Sequence, residues 1–447
     1  MRLKNLATPT WIIRAAAAGA IATAFASTAL ATEIGAYFPS WSADSSFRLK
    51  HLEQSGLTDQ LSYLNYAFEN IYPMPDGTYR CDNGSDLDDQ GAGQGMHASL
   101  DYLRRFSAAE SVDGSADDDE QALAGNFNQL RQLKQKHPQL KVLVALGGWT
   151  WSRWFSAASA TSALRTTLVA SCIDLYIKGN LPRVQGHGGA GAAAGVFDGF
   201  DLDWEHPGLP GIGYNVFSER DRQNFTLLLA EFRRQLDNLN QQPDAKNKRR
   251  YLLSAAINGS KENLPHTEPA QYARYLDWIN LMTYDFHGAW DKHGPTSFQS
   301  NLYPDPGGPE TSMPSIAGDV SRLLDAGVPA EKIVLGIPFY ARGWSGVAPA
   351  NNGLYQTAQG PAAAVEEGAE SYARIAAKSL TRFYHPVTRQ LWTYDQGTFW
   401  TFDDPVVIRE KINYVRHNKL GGMMSWSLDQ DDEQFSLTRA MLELRVK

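Results

Sequence analysis

The sequence predicts an α/β fold: a (β/α)8 TIM barrel carrying a small α+β insertion after strand seven. Eight short apolar runs suit buried parallel strands, at residues 34–38, 61–68, 141–146, 197–203, 251–257, 278–284, 333–338 and 422–427. Helical periodicity fills several of the gaps, at 126–136, 164–178, 221–239 and 405–417. Acids, tyrosines and tryptophans collect at the C-terminal ends of the runs, the face on which a barrel of this kind carries its chemistry.

Before the first strand, residues 1–31 read as a secretory signal peptide. Arg2, Lys4 and Arg14 form a basic region, residues 15–30 an Ala-rich apolar run, and Ala29-Leu30-Ala31 a cleavage site. A membrane anchor is the alternative, but so short a run rich in small residues spans a bilayer poorly. Residues 32–447 are then expected to be the catalytic barrel, interrupted by the insertion at 345–404. The leader carries three bases and no acids, so the formal charge moves from −8 to −11 on cleavage. An acidic chain is a poor partner for nucleic acid or an anionic membrane and is compatible with a neutral polymer. The expected product is a secreted, soluble monomer. The two cysteines, Cys81 and Cys172, leave a disulfide and two free buried thiols equally open. No CxxC or HExxH spacing suggests zinc, and no metal or cofactor is expected.

Strand one ends in Tyr37-Phe38-Pro39-Ser40-Trp41, strand two in Phe68-Glu69, and strand three in Ala145-Leu146-Gly147-Gly148-Trp149. Strand six ends in Met282-Thr283-Tyr284-Asp285 with Trp290 beyond, strand seven runs into Arg342 and Trp344, and strand eight ends at Trp426. Trp41, Trp149, Trp204, Trp290, Trp344 and Trp426 together suggest a groove whose flat faces match sugar rings, although each alone could be core. Long loops follow strand two (71 to about 118) and strand seven (344 to about 404), the second with strand-like pieces at 381–384, 391–394 and 399–402. The Asp-rich segments 81–89 and 117–120 lack EF-hand spacing and read as solvated loop and helix start. The Gly/Ala tract 186–195 reads as a flexible surface loop away from the chemistry.

Strand four carries the decisive pattern, Asp198-Gly-Phe-Asp201-Leu-Asp203-Trp-Glu205. Alternation puts Asp201, Asp203 and Glu205 on one face, roughly 6–7 Å apart in sequence order. Three carboxylates on a buried face repel, so at least one keeps its proton at neutral pH and can serve as a general acid. Asp198, at an odd offset, points away and reads as a structural acceptor. A solvated acidic strand end is disfavoured by the interleaved Phe197, Phe200, Leu202 and Trp204.

The row Asp198-x-x-Asp201-x-Asp203-x-Glu205 resembles the DxxDxDxE signature of glycoside hydrolase family 18, the chitinases and their relatives. By that resemblance Glu205 is the general acid and then the base. The substrate's own 2-acetamido oxygen attacks C1, an exception to the second-carboxylate rule of retaining enzymes. Asp203 accepts the acetamido N–H, Asp201 shares a proton with Asp203, and Tyr284 and Asp285 orient the acetamido group. Tyr37 and Met282 line the pocket, Trp426 floors it and Arg342 binds sugar hydroxyls, although Arg342 could equally pair with a carboxylate in the insertion. Phe68, Gly148, Trp149 and Trp290 complete the candidate binding set, with chitin or chitooligosaccharides as partner. His287 and His293 have no ligand-like spacing and stay outside it. The resemblance departs at Ala145, where the family often has a serine supporting the innermost Asp. A lectin on the same barrel, and an enzyme acting on other N-acetylglucosamine glycans, are the rival readings, the first disfavoured by the presence of Glu205.

Overall fold

Alternate residues of the eight apolar runs enter two different cores, and that alternation closes the barrel. The computed structural model describes residues 32–446 apart from 45–46, 90, 242–249 and 311, so the expected leader lies outside the described residues. Eight parallel strands pair in closed order: β1 (Glu33–Pro39), β2 (Tyr63–Glu69), β3 (Lys141–Gly147), β4 (Gly199–Asp203), β5 (Leu252–Ile257), β6 (Trp278–Leu281), β7 (Ile333–Pro338) and β8 (Gly422–Trp426). Tyr37, Tyr63, Ala67, Leu143, Ala145, Trp278, Val334 and Met424 fill the barrel interior. Their odd-offset neighbours, such as Phe38, Leu64, Val144, Phe200, Leu202 and Ile337, join the larger core beneath the helices. The helices include Gly125–Lys136, Ser162–Cys172, Asp221–Asn240 and Pro405–His417, close to their expected places.

Strand six is shorter than its apolar run. One further ladder bond forms, Met282 N–H to Ile257 O at 2.9 Å, and then the chain turns as Thr283 N–H bonds back to Leu281 O. Asp285 follows in the left-handed region (φ 58°).

After β7 the chain builds an antiparallel sheet in the order Gly360–Pro361, Tyr340–Ser345, Thr398–Phe402, Gln390–Asp395, Arg382–His385, with Ala369–Ser371 also on Tyr340–Ser345 and one short helix, Tyr372–Ala377. Its first strand follows β7 directly, which brings Arg342 to the barrel mouth. A fully buried ion pair, Lys411 Nζ to Asp403 Oδ2 at 2.5 Å, joins the sheet's exit to the helix Pro405–His417.

Three sequence expectations take definite form here. Cys81 and Cys172 form a disulfide, with Cα atoms 4.9 Å apart. The Gly/Ala tract is not wholly loop: His187–Gly189 is a buried strand paired with Leu181–Val184, and Gly188 N–H bonds to Ala122 O. Its small residues permit that close packing. In the Asp-rich segments, Asp82, Asp86, Asp89, Asp117 and Asp118 accept backbone N–H groups of their own loops. Among the described residues no group of three or more His, Cys, Asp or Glu could hold a metal ion, and no helix is long and apolar enough to cross a membrane.

Candidate active site

The strand period puts Asp201 and Asp203 on the interior face of β4, with Glu205 just beyond its end. Asp201 is fully buried and receives three donors: Tyr37 Oη at 2.5 Å, Ser254 Oγ at 2.6 Å and Asn280 Nδ2 at 2.9 Å. Burial raises its pKa, and the three donors pull it back by stabilising the charged form. Asp203 is buried, and its Oδ1 has no hydrogen-bond partner among the described residues. Burial and the charges of Glu205 and Asp201 hold its carboxyl well above the usual range. Burial and the Asp285 carboxylate push Glu205 up to about 8. The His206 ring lies 3.7 Å from Glu205, but burial lowers it to about 4, so it is neutral and brings no charge to the acid.

Backbone bonds hold Glu205 in place. Its N–H donates to Ser152 Oγ at 2.8 Å and its C=O accepts from Asn215 Nδ2 at 2.9 Å. Ser152 Oγ in turn reaches Gly148 O at 2.8 Å and Asp203 O at 3.1 Å, tying the loop after β3 to the end of β4. Asp198 points the other way, as expected, accepting Lys134 Nζ at 2.7 Å and Val142 N–H at 2.9 Å.

Beyond β6, Tyr284 is half-buried, and burial with the nearby acids raises its phenol well above the usual value, so it keeps its proton. Asp285 is gripped by Arg342 through Nε at 2.8 Å and Nη2 at 3.1 Å. Arg342 also faces Glu366 of the insertion at 3.6 Å and lies over the rings of Trp290 (5.3 Å) and Tyr340 (5.1 Å). The carboxylate foreseen for Arg342 in the insertion is Glu366, while its bidentate partner Asp285, from the barrel, was not foreseen. Met282 is buried at the start of this turn.

The six tryptophans divide. Trp41, Trp149 and Trp290 are exposed and Trp426 half-buried. Trp426 stacks on Phe68 at 5.3 Å and 22°, with Tyr37 edge-on at 5.4 Å and Trp41 at 6.4 Å. Trp204 and Trp344 do not belong to the groove. Trp204 falls between the two acids in strand phase, so it points outward and stacks on Phe155 at 5.3 Å and 12°. Trp344 is fully buried in the insertion sheet, its Nε1–H bonded to Asp291 O at 2.9 Å.

The acid row thus stands at a barrel mouth lined with aromatic faces. The model for glycosyl hydrolases family 18 matches residues 33–431. The chain belongs to this family. Chitinase A1 of Niallia circulans is 34% identical over 426 residues, covering 89% of this chain and 56% of that protein. Chitinase C of Streptomyces lividans is 33% identical over 400 residues, covering 88% and 56%. The chain therefore spans little more than half the length of these relatives. The solved catalytic domain of psychrophilic chitinase B from Arthrobacter TAD20 matches with a TM-score of 0.86 at 38% identity, covering 93% of this chain and 96% of that one.

Within this family 18 barrel, Gly148 has a steric reason. Its φ is +74°, and a Cβ there would lie 2.6 Å from the Phe68 ring. Gly148→Ala is expected to cost about 1–3 kcal/mol of stability and to push Phe68 off Trp426. Denaturant unfolding reads the first effect, and a weakened affinity for oligosaccharide with Glu205 intact reads the second.

Sequence reasoning missed Ser152, Ser254, Asn280 and Asn215. Ser254 and Asn280 had a signal, since both are polar residues at interior-phase positions of β5 and β6. Ser152 and Asn215 act through loop backbone and had none.

Proposed function

We propose that the chain is a secreted chitinase that acts as a monomer and cleaves β-1,4 bonds between N-acetylglucosamine units by substrate-assisted, retaining catalysis. Residues 32–447 form the catalytic unit in this reading, with 345–404 as one wall of the cleft, and residues 1–31 direct export. One observation carries the mechanism. The carboxylate whose charge reaches Glu205 from outside the row is Asp285, and Arg342 holds it in a bidentate pair. With both its oxygens engaged by Arg342, Asp285 is not free to attack C1, and the nucleophile is assigned, as the family's pattern implies, to the substrate's own acetamido oxygen.

In this mechanism Glu205 gives its proton to the glycosidic oxygen as the acetamido carbonyl oxygen bonds to C1 and the C1–O bond breaks. Asp203 accepts the acetamido N–H and stabilises the positive charge of the resulting oxazolinium ion. Tyr284 donates its phenol to the acetamido oxygen, and Asp285 helps orient the group. Water then adds to C1 with the original configuration and returns a proton to Glu205. Trp426 lies beneath the reacting sugar, Tyr37 and Met282 line its pocket, Phe68, Gly148, Trp149 and Trp290 extend the surface, and the free N–H groups of Arg342 meet sugar hydroxyls.

Proton NMR of the first product from chitohexaose tests this. A β-anomer at early times is expected, while an α-anomer would mean an inverting route and a wrong role for Asp203. A family 18 N-acetylglucosaminidase from Paenibacillus barengoltzii, 26% identical with a TM-score of 0.69, keeps release of single sugars as the second reading. The same spectra decide it, by whether monosaccharide or shorter oligomers form first.

A further inference from the structure

Asp201 is flanked in register by one residue on each neighbouring strand, Ala145 on β3 and Ser254 on β5. All three share the phase that faces the barrel interior. Ser254 Oγ donates to Asp201 Oδ1 at 2.6 Å, Asn280 Nδ2 reaches the same oxygen at 2.9 Å, and Tyr37 Oη serves Oδ2 at 2.5 Å. Ala145 offers only a methyl group. We propose that Ser254 is a positioning residue of the acid row, whose hydroxyl from β5 keeps Asp201 the charged innermost member and leaves the row's movable proton to Asp203 and Glu205. The inference deepens the proposed mechanism and rests on it.

The surroundings leave Asp201 few other sources of support. The titratable groups that bear on it are Tyr37 from β1, Tyr63 from β2, Tyr284 beyond β6, and Asp203 along its own strand. None is a cation. From β3, β7 and β8 the interior receives Ala145, Val334 and Met424, which donate nothing. The Tyr37 hydroxyl occupies Oδ2, and the Asn280 carbonyl is held by Tyr63 Oη at 2.6 Å, which fixes the amide's orientation. An anion buried this deeply depends on each donor it has, and losing one leaves it short of a bond. Asp203, whose Oδ1 is buried without a partner among the described residues, is the better place for the proton.

A serine that merely fills the core would tolerate alanine with no change in titration. The test compares kcat against pH on chitohexaose for the wild type, Ser254→Ala, and Ser254→Ala combined with Ala145→Ser. In Ser254→Ala the Asp201 anion loses support and protonates at higher pH, so the acidic limb moves up by about one pH unit. The value of kcat falls about tenfold, with KM changed less than about twofold. The added Ala145→Ser places a hydroxyl on the other flank of Asp201 and returns the limb and most of the rate. An unmoved limb in Ser254→Ala overturns the proposal. So does a double variant that folds with the wild-type melting temperature and regains neither. Inactivity of the wild type would instead count against the chitinase reading. In that event carbon-13 titration of labelled Asp carboxyls still decides the matter, since Asp201 should protonate at higher pH in Ser254→Ala, and an unchanged curve would refute the role.

Discussion

Replacing Glu205 by Gln lowers kcat on chitooligosaccharides by about 10³-fold or more, with KM changed less than about threefold. Gln keeps the shape, and the backbone bonds to Ser152 and Asn215 do not involve the side chain, so the cleft is retained. What disappears is the transferable proton. The same group sets the alkaline side of the wild-type profile. Burial and Asp285 raise Glu205 to about 8, so the acid form persists through neutral pH and is lost as pH climbs past that value. Above it, kcat/KM of the wild type is expected to fall about tenfold per pH unit, while the residual rate of Glu205→Gln loses this limb. Steady-state rates on a chromogenic chitobioside across the range measure both. A Gln variant within tenfold of wild type would remove Glu205 from the mechanism.

That prediction rests on the part of the site most legible in the sequence. The acid row could be read because a strand repeats every two residues, and one segment states its own faces. The same rule assigned Asp198 outward, where Lys134 and Val142 hold it. Applied consistently it also sends Trp204 to the helix side, against its inclusion in the groove. The eight strands were legible because both of their faces are buried, which makes them nearly continuous apolar runs. What joins the strands was not. The register that sets Ser254 and Ala145 beside Asp201 relates segments more than fifty residues apart, and no local pattern encodes it. The absence of a serine at 145 therefore looked like a missing partner for Asp201, and the structure supplies that hydroxyl from β5. Arg342 shows the converse limit: its location after strand seven was clear, but its pairing with Asp285 depends on the sharp turn after Leu281 that shortens β6.

Removing the Cys81–Cys172 bond is expected to lower the free energy of unfolding by about 2–4 kcal/mol. The two residues are 91 apart in sequence, and closing a loop of that length restricts the unfolded chain by roughly 4–5 kcal/mol in the chain-entropy account, from which native strain subtracts. Both cysteines are buried, so substitution also removes packed sulfur. Cys81 ends the hairpin of the long loop after β2, and Cys172 ends the helix Ser162–Cys172, so the bond fastens that loop to the helix layer. Further along, the loop carries Gly95, against which the Trp151 ring packs, and Asn70 Nδ2 holds the carbonyls of Gly93 and Gly95 at 3.3 and 3.2 Å. These contacts lie on the active-site side but touch none of the acids. The double variant Cys81→Ala/Cys172→Ala should therefore unfold at lower urea and inactivate faster on warming, while its kcat at low temperature stays within about twofold of wild type. An unchanged urea midpoint would show that the bond adds nothing to stability. Thiol titration in denaturant then bears on export: protein recovered from an oxidising compartment should show no free thiol, and the unprocessed chain held in a reducing cytosol should show two.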